Sequence, residues 1–424
     1  MTSVASGGSG SALPNGVQGA ADPGFACAVG SFAKLFTHPR FGGGALAVYL
    51  DGQPVVDVWA GWSDRRGRVQ WSADTAPMIF SATKGVSSTV IHRLADRGLI
   101  DYDAPVAEYW GEFGANGKAE ITVRDVMRHR AGLSNLRGVR RCELLDHHHM
   151  EERIAAAPVD RHFGKPAYHA LTYGWLMSGL ARAVTGRGMR ELIRTEVAEP
   201  LDTDGIHLGR PPEGAPTRVA RIIGPQSAVP IPLFNEVAPR IAALEASAAF
   251  GSMYFPGMWS VVQGNTPLLD SEIPSANGIA TARALARMYG AIANGGEIDG
   301  QRYLSAQRVA ALTGRTSMRP DRNLVLPMAF HLGYHGLAVP GVLPGFGHVG
   351  LGGSVGWAIP ESGLAFALVH NRLLTPLLVS DQAGFVAMAA LVRAGAAKSR
   401  KRGFAPIAEF GSAYSPLPTR AAAN

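Results

Sequence analysis

The chain has 424 residues, 46% hydrophobic and 17% charged, with a mean hydropathy of +0.06, which is ample apolar surface for a core and excludes global disorder. Its 52 glycines and 28 prolines predict many tight turns and exclude a plain helical bundle. The net charge of +7, from 40 basic against 33 acidic residues, is spread out except at Arg137 to Arg141 and Lys398 to Arg402; no zinc-finger, RNA-recognition or helix-turn-helix signature accompanies these runs, so no nucleic-acid partner is expected.

Met1 to Ala21 is rich in Gly, Ser and Ala and reads as a flexible lead, without the charged start and apolar core of a signal peptide. Nowhere do about 20 consecutive apolar residues occur, so no membrane span is expected. The default location is cytoplasmic, with peripheral attachment to a membrane or the cell envelope through the basic tail as the alternative. Cys27 and Cys142 are too few for a disulfide framework or a four-thiolate metal site and are expected to be reduced.

From Phe25 to Phe36 the apolar spacing is helical, and Gly42 to Gly44 break it. Ala45 to Leu50 and Pro54 to Trp59 flank Asp51-Gly52, a pair suited to positive φ, and predict a β-hairpin. Ala82 to Arg97 is helical, with Val86, Val90, Ile91 and Leu94 on one face and Gly98 placed to cap it. Thr122 to His129 opens on Thr-x-x-Asp, Glu143 to Ala157 follows at helical period, and further helices start near His169, Met189, Thr281 and Ser305. Pro225 to Leu269 is apolar without a period, carrying Phe255 and Trp259, and is expected in part to wall an apolar substrate pocket. Strands return at Phe330 to Tyr334, Gly347 to Gly350, Val355 to Ile359 and Leu364 to Val369, with a turn at Pro360 to Gly363. A helix from about Pro376 to Ala394 and a Pro/Ala/Ser tail complete the chain.

Strands at both ends with helices between predict an α+β fold: one sheet built from both termini, flanked by helices, plus a helical domain. The expected division is a lead over 1–21, a sheet domain from 22–98 and 316–402, a helical domain over 99–315, and a flexible tail over 403–424. No sequence feature sets an oligomeric state.

Three segments carry chemistry. Ser81-Ala82-Thr83-Lys84 is a Ser-x-x-Lys at a helix head, where the spacing brings the amine within reach of the hydroxyl. Burial and the positive helix end both disfavour the charge on Lys84, and the N–H of Ser81 is available to an oxyanion. In a chain with six lysines such a short motif also arises by chance. A second copy, Ser31 to Lys34, lies inside a helix and lacks free N–H groups. Tyr168, just before the next helix, is a phenol that near cationic or N–H-rich groups could lose its proton and relay it. Gly347-His348-Val349-Gly350-Leu351-Gly352-Gly353 is a glycine-rich strand end whose backbone can approach a substrate closely, with His348, Gly350 and Gly352 as expected substrate contacts.

Two competing motifs are weaker. Gly352-Gly353-Ser354-Val355-Gly356 matches the Gly-x-Ser-x-Gly elbow of α/β-hydrolases, but a hairpin follows instead of a helix and the later His370 precedes Asp381, the reverse of the required order. His147-His148-His149 with Glu151 and Glu152 points to different faces of a helix and reads as a polar surface, and Lys165 as a loop lysine, so no metal is expected.

In order and spacing the three segments resemble class C serine β-lactamases, penicillin-binding proteins and above all family VIII carboxylesterases, with the likeness running over roughly residues 25 to 400 and nearest to the mycobacterial lipases and esterases of that group. The resemblance implies a two-domain fold with the site between sheet and helices, Ser81 as nucleophile, Lys84 as base partner, Tyr168 as proton relay, and the N–H groups of Ser81 and Leu351 as oxyanion hole. Ala170 stands where β-lactamases usually have Asn, and His348-Val349-Gly350 where they have Lys-Thr-Gly. Both changes suit an ester over a lactam or peptide. The expectation is a cofactor-free serine carboxylesterase or lipase acting on short- to medium-chain esters, with β-lactamase or D-alanyl-D-alanine peptidase activity as the alternative and a non-catalytic binding protein as a third reading.

Overall fold

Asp51 and Gly52 have φ of +50° and +76°, the pair of positive values a two-residue hairpin turn demands, and they join β2 (Gly43–Leu50) to β3 (Gln53–Gly61). The computed structural model describes residues 13–135, 139–224, 240, 254, 257–262, 267–314, 318–324, 327–337, 343–373 and 378–403. With β1 (Val17–Ala21), β4 (Arg319–Pro320), β5 (Pro327–Phe330), β6 (His335–Gly336), β7 (Phe346–Val349), β8 (Val355–Ile359) and β9 (Leu364–His370), this hairpin builds a nine-stranded sheet among the described residues, in the order β1-β3-β2-β9-β8-β7-β6-β5-β4. All its ladders are antiparallel. The central ladder pairs β2 with β9, from Leu50 against Leu364 to Gly44 against His370, so both ends of the chain share one sheet.

Side chains alternate across a strand, and here both faces are buried. Leu46, Val48 and Leu50 point to one core with Phe25, Phe32 and Phe385, beneath α1 (Ala26–Ala33) and α6 (Leu378–Arg402). Ala45, Ala47 and Tyr49 point to the other, with α2 (Thr83–Asp96), α4 (Thr172–Thr185) and α5 (Ala282–Ala293). Small residues on that face let α5 approach closely: a Cβ at Gly356 would sit 2.2 Å from the Tyr289 ring. Between α2 and α4 the short α3 (Val123–Met127) carries the expected capping box of Thr122 and Asp125.

The central helix is α2, buried on almost every side. Its polar residues are therefore paired internally: Ser87 Oγ donates to Pro274 O at 2.6 Å, Ser88 Oγ to Lys84 O at 2.6 Å and Thr89 Oγ1 to Gly85 O at 2.8 Å. A helix gripped in this way is a rigid carrier for the residues at its head.

Several expectations are corrected. Val17–Ala21, placed in the flexible lead, is edge strand β1 paired with β3, because its backbone completes the ladder that β3 leaves open. The helix starting at Thr281, assigned to the helical domain, lies on the sheet against β2, β8 and β9. Phe330 to Tyr334 is not one strand: β5 ends at Phe330, and the turn at Gly333, φ +75°, packs so tightly on α2 that a Cβ there would meet Ser88 Oγ at 2.1 Å. Glu143 to Ala157 is two helices, Arg141–Leu145 and His147–Ala156, because Asp146 caps the second by accepting the N–H of His149 at 3.1 Å. The last helix runs beyond Ala394 to Arg402.

Candidate active site

The chain enters α2 through a tight turn, Phe80–Ala82, in which Phe80 adopts φ +46°, a left-handed conformation uncommon for a residue with a Cβ and typical of functional sites. Thr83 holds it: its Oγ1 donates to Phe80 O at 2.5 Å and accepts the N–H of Gly278 at 2.9 Å, while Ile79 N–H donates to Gly278 O at 2.8 Å. Ser81 thus stands half-buried on a braced corner, and its N–H lies in the first turn, where helical partners are lacking.

Lys84 is fully buried, with its Nζ 3.2 Å from Ser81 Oγ, 2.6 Å from Ala170 O and 3.0 Å from Ser275 O. Burial pushes its pKa well below the usual lysine value. Nζ donates to all three oxygens as an ammonium; once it gives up a proton, its two remaining N–H bonds go to the carbonyls, which can only accept, and its lone pair turns to the Ser81 hydroxyl. That is the arrangement of a general base against a nucleophile.

Ser275 reaches this position through its loop. Asn277 Oδ1 accepts Ile273 N–H at 3.1 Å, and its Nδ2 donates to Leu268 O at 2.6 Å and Ser271 O at 2.8 Å. Gly174 on α4 admits the loop, since a Cβ there would lie 2.5 Å from Ser275 N.

Ser81 acts on the Tyr168 phenol to lower its pKa, and Lys84 Nζ lies 4.9 Å from the centre of the phenol ring. Phe330 stacks on the ring at 6.4 Å with 8° between planes. Burial is the largest influence on the phenol and raises its pKa. The phenol is therefore held protonated, and Lys84 is the group beside Ser81 whose charge burial disfavours.

The end of β7 presses on the Ser81 corner. A Cβ at Gly350 would meet Ile79 O at 2.1 Å, so only glycine permits this approach. Gly350 N–H donates to Ser354 O at 2.7 Å and Gly353 N–H to Gly350 O at 3.0 Å, whereas Leu351 N–H makes no hydrogen bond among the described residues. His348 is buried, with Nδ1 3.1 Å from Val349 O and Nε2 without a partner among the described residues. Its ring lies 4.7 Å from His335 and 6.2 Å from Tyr168. Burial, reinforced by His335 and Lys84, holds it well below the usual histidine pKa, so it is uncharged.

The Beta-lactamase family description matches residues 31–390. The chain belongs to the Beta-lactamase family. It is 67% identical over 400 residues to the esterase/beta-lactamase LipL of Mycobacterium tuberculosis, covering 94% of this chain and 93% of that protein. Among solved structures it resembles a penicillin-binding protein homologue from Caulobacter crescentus, with 30% identity, a TM-score of 0.75 and coverage of 90% of this chain and 99% of the other. It also resembles a family VIII carboxylesterase, with 28% identity, a TM-score of 0.73 and coverage of 89% and 99%.

As a Beta-lactamase family site the arrangement has two local features. Ala170 offers the site its carbonyl, which is spent on Lys84, and no side-chain amide. His348 presents a neutral ring where a cation was the alternative. Ser354 lies apart from this chemistry: its buried Oγ accepts His370 N–H at 3.2 Å and faces His370 O at 3.3 Å, bonding across β8 and β9. Ser31 lies within α1. Gly352, with φ +88°, has its Cβ position 3.1 Å from Arg372 O, so it turns the chain after Leu351. Phe255 lies outside the described residues, and Trp259 falls in the short helix Met258–Val262. Among the described residues no cluster of three metal-ligating side chains occurs and no helix is long and apolar enough to cross a membrane.

The sequence reading missed Ser275, Asn277 and Gly174. A lone asparagine in the apolar stretch Ile273 to Ala280 was the available signal, since such a side chain commonly staples its own loop.

Proposed function

We propose that the protein is a serine carboxylesterase or lipase that cleaves short- to medium-chain esters through an acyl-enzyme on Ser81. The single observation that carries this reading is the fully buried Lys84 amine, its pKa pushed well below the usual lysine value, with Nζ 3.2 Å from Ser81 Oγ and held beside the carbonyls of Ala170 and Ser275. Ser81 attacks the ester carbonyl as Lys84 takes its proton, and the oxyanion is met by the N–H groups of Ser81 and Leu351. Tyr168 donates its proton to the departing alkoxide and recovers one from Lys84; water then attacks the acyl group, its proton passing to the same base, and Ser81 leaves protonated. No cofactor takes part in these steps.

The neutral His348 and the missing amide at Ala170 favour an uncharged ester over a substrate that brings a carboxylate and an amide N–H. The similarity to an esterase/beta-lactamase supports β-lactam hydrolysis as a second reading on the same residues. A fluorophosphonate probe should add to the peptide containing Ser81 and leave that containing Ser354 unmodified, as read by peptide mass spectrometry. Efficiency on p-nitrophenyl butyrate should exceed that on nitrocefin by about 10-fold or more, the factor one lost polar contact commands. Labelling at Ser354 alone would sink the acyl-enzyme assignment, and nitrocefin turnover equal to ester turnover would reverse the ranking of substrates.

A further inference from the structure

Tyr168 is held by backbone contacts as much as by its ring. Ala167 N–H donates to His129 O at 3.0 Å, and His169 N–H donates to His129 Nδ1 at 3.1 Å, so one residue grips the chain on both sides of Tyr168. The His129 ring also lies 5.0 Å from the Tyr168 ring and 4.6 Å from Phe330. Asn323 Nδ2 donates to Tyr168 O at 3.0 Å, and His169 Nδ1 donates to Ala167 O at 2.6 Å. Because Nδ1 of His129 accepts an N–H it carries no proton, and burial beside His169, Lys84 and His335 keeps the ring neutral. The neutral ring is therefore the tautomer with hydrogen on Nε2. His129 adopts φ +57°, a conformation in which His and Asn are several-fold enriched over other residues with a Cβ. An apolar residue would fill this space but would leave His169 N–H without its acceptor.

We propose that His129 is the positioning residue of the proton relay: through its carbonyl and its Nδ1 it fixes the Tyr168 hydroxyl beside Ser81, without itself exchanging a proton. The inference rests on the acyl-enzyme reading above and adds a residue to it. The asparagine side chain places an oxygen where histidine has Nδ1, and it tolerates the same backbone. Glutamine places its oxygen one bond further out, near the position of Nε2.

His129→Asn should therefore keep kcat on p-nitrophenyl butyrate within about 5-fold, whereas His129→Gln should lose about 10²-fold in kcat with KM changed by less than about 3-fold, the scale expected for a catalytic group displaced by about 1 Å. In the Tyr168→Phe background His129→Gln should cost less than about 3-fold further, because the group it positions is already gone. Nitrogen-15 NMR of histidine-labelled wild type should show one ring with a bare Nδ1 and a protonated Nε2 that is lost in His129→Asn, a readout that does not depend on the glutamine variant folding. Full kcat in Tyr168→Phe would overturn the relay and this inference with it. A Tyr168→Phe defect combined with wild-type kcat in His129→Gln, an undiminished His129→Gln loss in the Tyr168→Phe background, or a protonated Nδ1 on His129 would overturn the inference alone.

Discussion

Ser81→Ala is expected to lower kcat/KM on p-nitrophenyl butyrate by about 10⁴-fold or more, the range found when a nucleophile is removed from a preorganised site. The expectation is sharp because the hydroxyl has no second task in the fold. Its hydrogen-bond partner is Lys84, and Lys84 keeps Ala170 O and Ser275 O when the hydroxyl is gone. The melting temperature should stay within a few degrees of wild type, since loss of one hydrogen bond at a half-buried site is worth about 1 kcal/mol. A folded variant that retained a tenth of the wild-type rate would remove Ser81 as nucleophile.

Lys84→Met should lower kcat/KM by about 10³-fold, the loss expected when a general base is removed but the nucleophile and oxyanion donors remain. Methionine matches the length of the lysine stem and fills the same buried channel, so the variant separates chemistry from packing. Its stability carries a second, independent signature. In the unfolded chain the amine titrates near 10.5, and in the folded protein burial lowers that value well below 10.5. Between the two pKa values the folded state binds fewer protons than the unfolded state, so wild-type stability rises with pH across that window and falls as pH drops. Lys84→Met has no such term. Denaturant melts should therefore show its stability relative to wild type greatest near neutral pH and declining as pH climbs toward 10.5. A difference that does not change with pH would mean that Lys84 stays charged in the folded protein, and the same result would withdraw its role as base. In wild type, activity should fall on the acid side as Lys84 takes up a proton, because the charged amine has no lone pair for Ser81.

Both predictions rest on four consecutive residues, and the reason is physical. The relation of Ser81 to Lys84 is fixed by one turn of helix, a geometry that depends on spacing alone. The same holds for the hairpin at Asp51-Gly52, for the capping box of Thr122 and Asp125, and for the caps at Thr281 and Ser305, whose hydroxyls accept the N–H groups of Ala284 and Arg308. Each is a contact between residues within four positions of one another, so composition and order determine it before the chain folds.

Edges and layers are another matter. Val17–Ala21 looks like a flexible lead because Gln18-Gly19-Ala20 has weak strand preference, and it becomes a strand only because β3 offers an unpaired edge. The helix starting at Thr281 is plain in sequence, but whether it joins the sheet or the helical domain depends on the small residues of β2, β8 and β9 that receive it.

The sequence alone determined that a hydroxyl and an amine would meet at the head of α2, that a glycine-rich strand end would be narrow enough to lie beside them, and that the two ends of the chain held the strands for a sheet. Tertiary structure alone decided what those groups became. The charge on Lys84 is disfavoured because burial takes the amine out of bulk water, beside the carbonyls of Ala170 and Ser275, 86 and 191 residues away. Tyr168 stays protonated because Phe330, His129 and Lys84 close over it. Protonation state is set by burial and by partners brought from distant parts of the chain, and neither can be read from residue order, because the same Ser-x-x-Lys on an exposed helix would carry a charged amine and an idle hydroxyl.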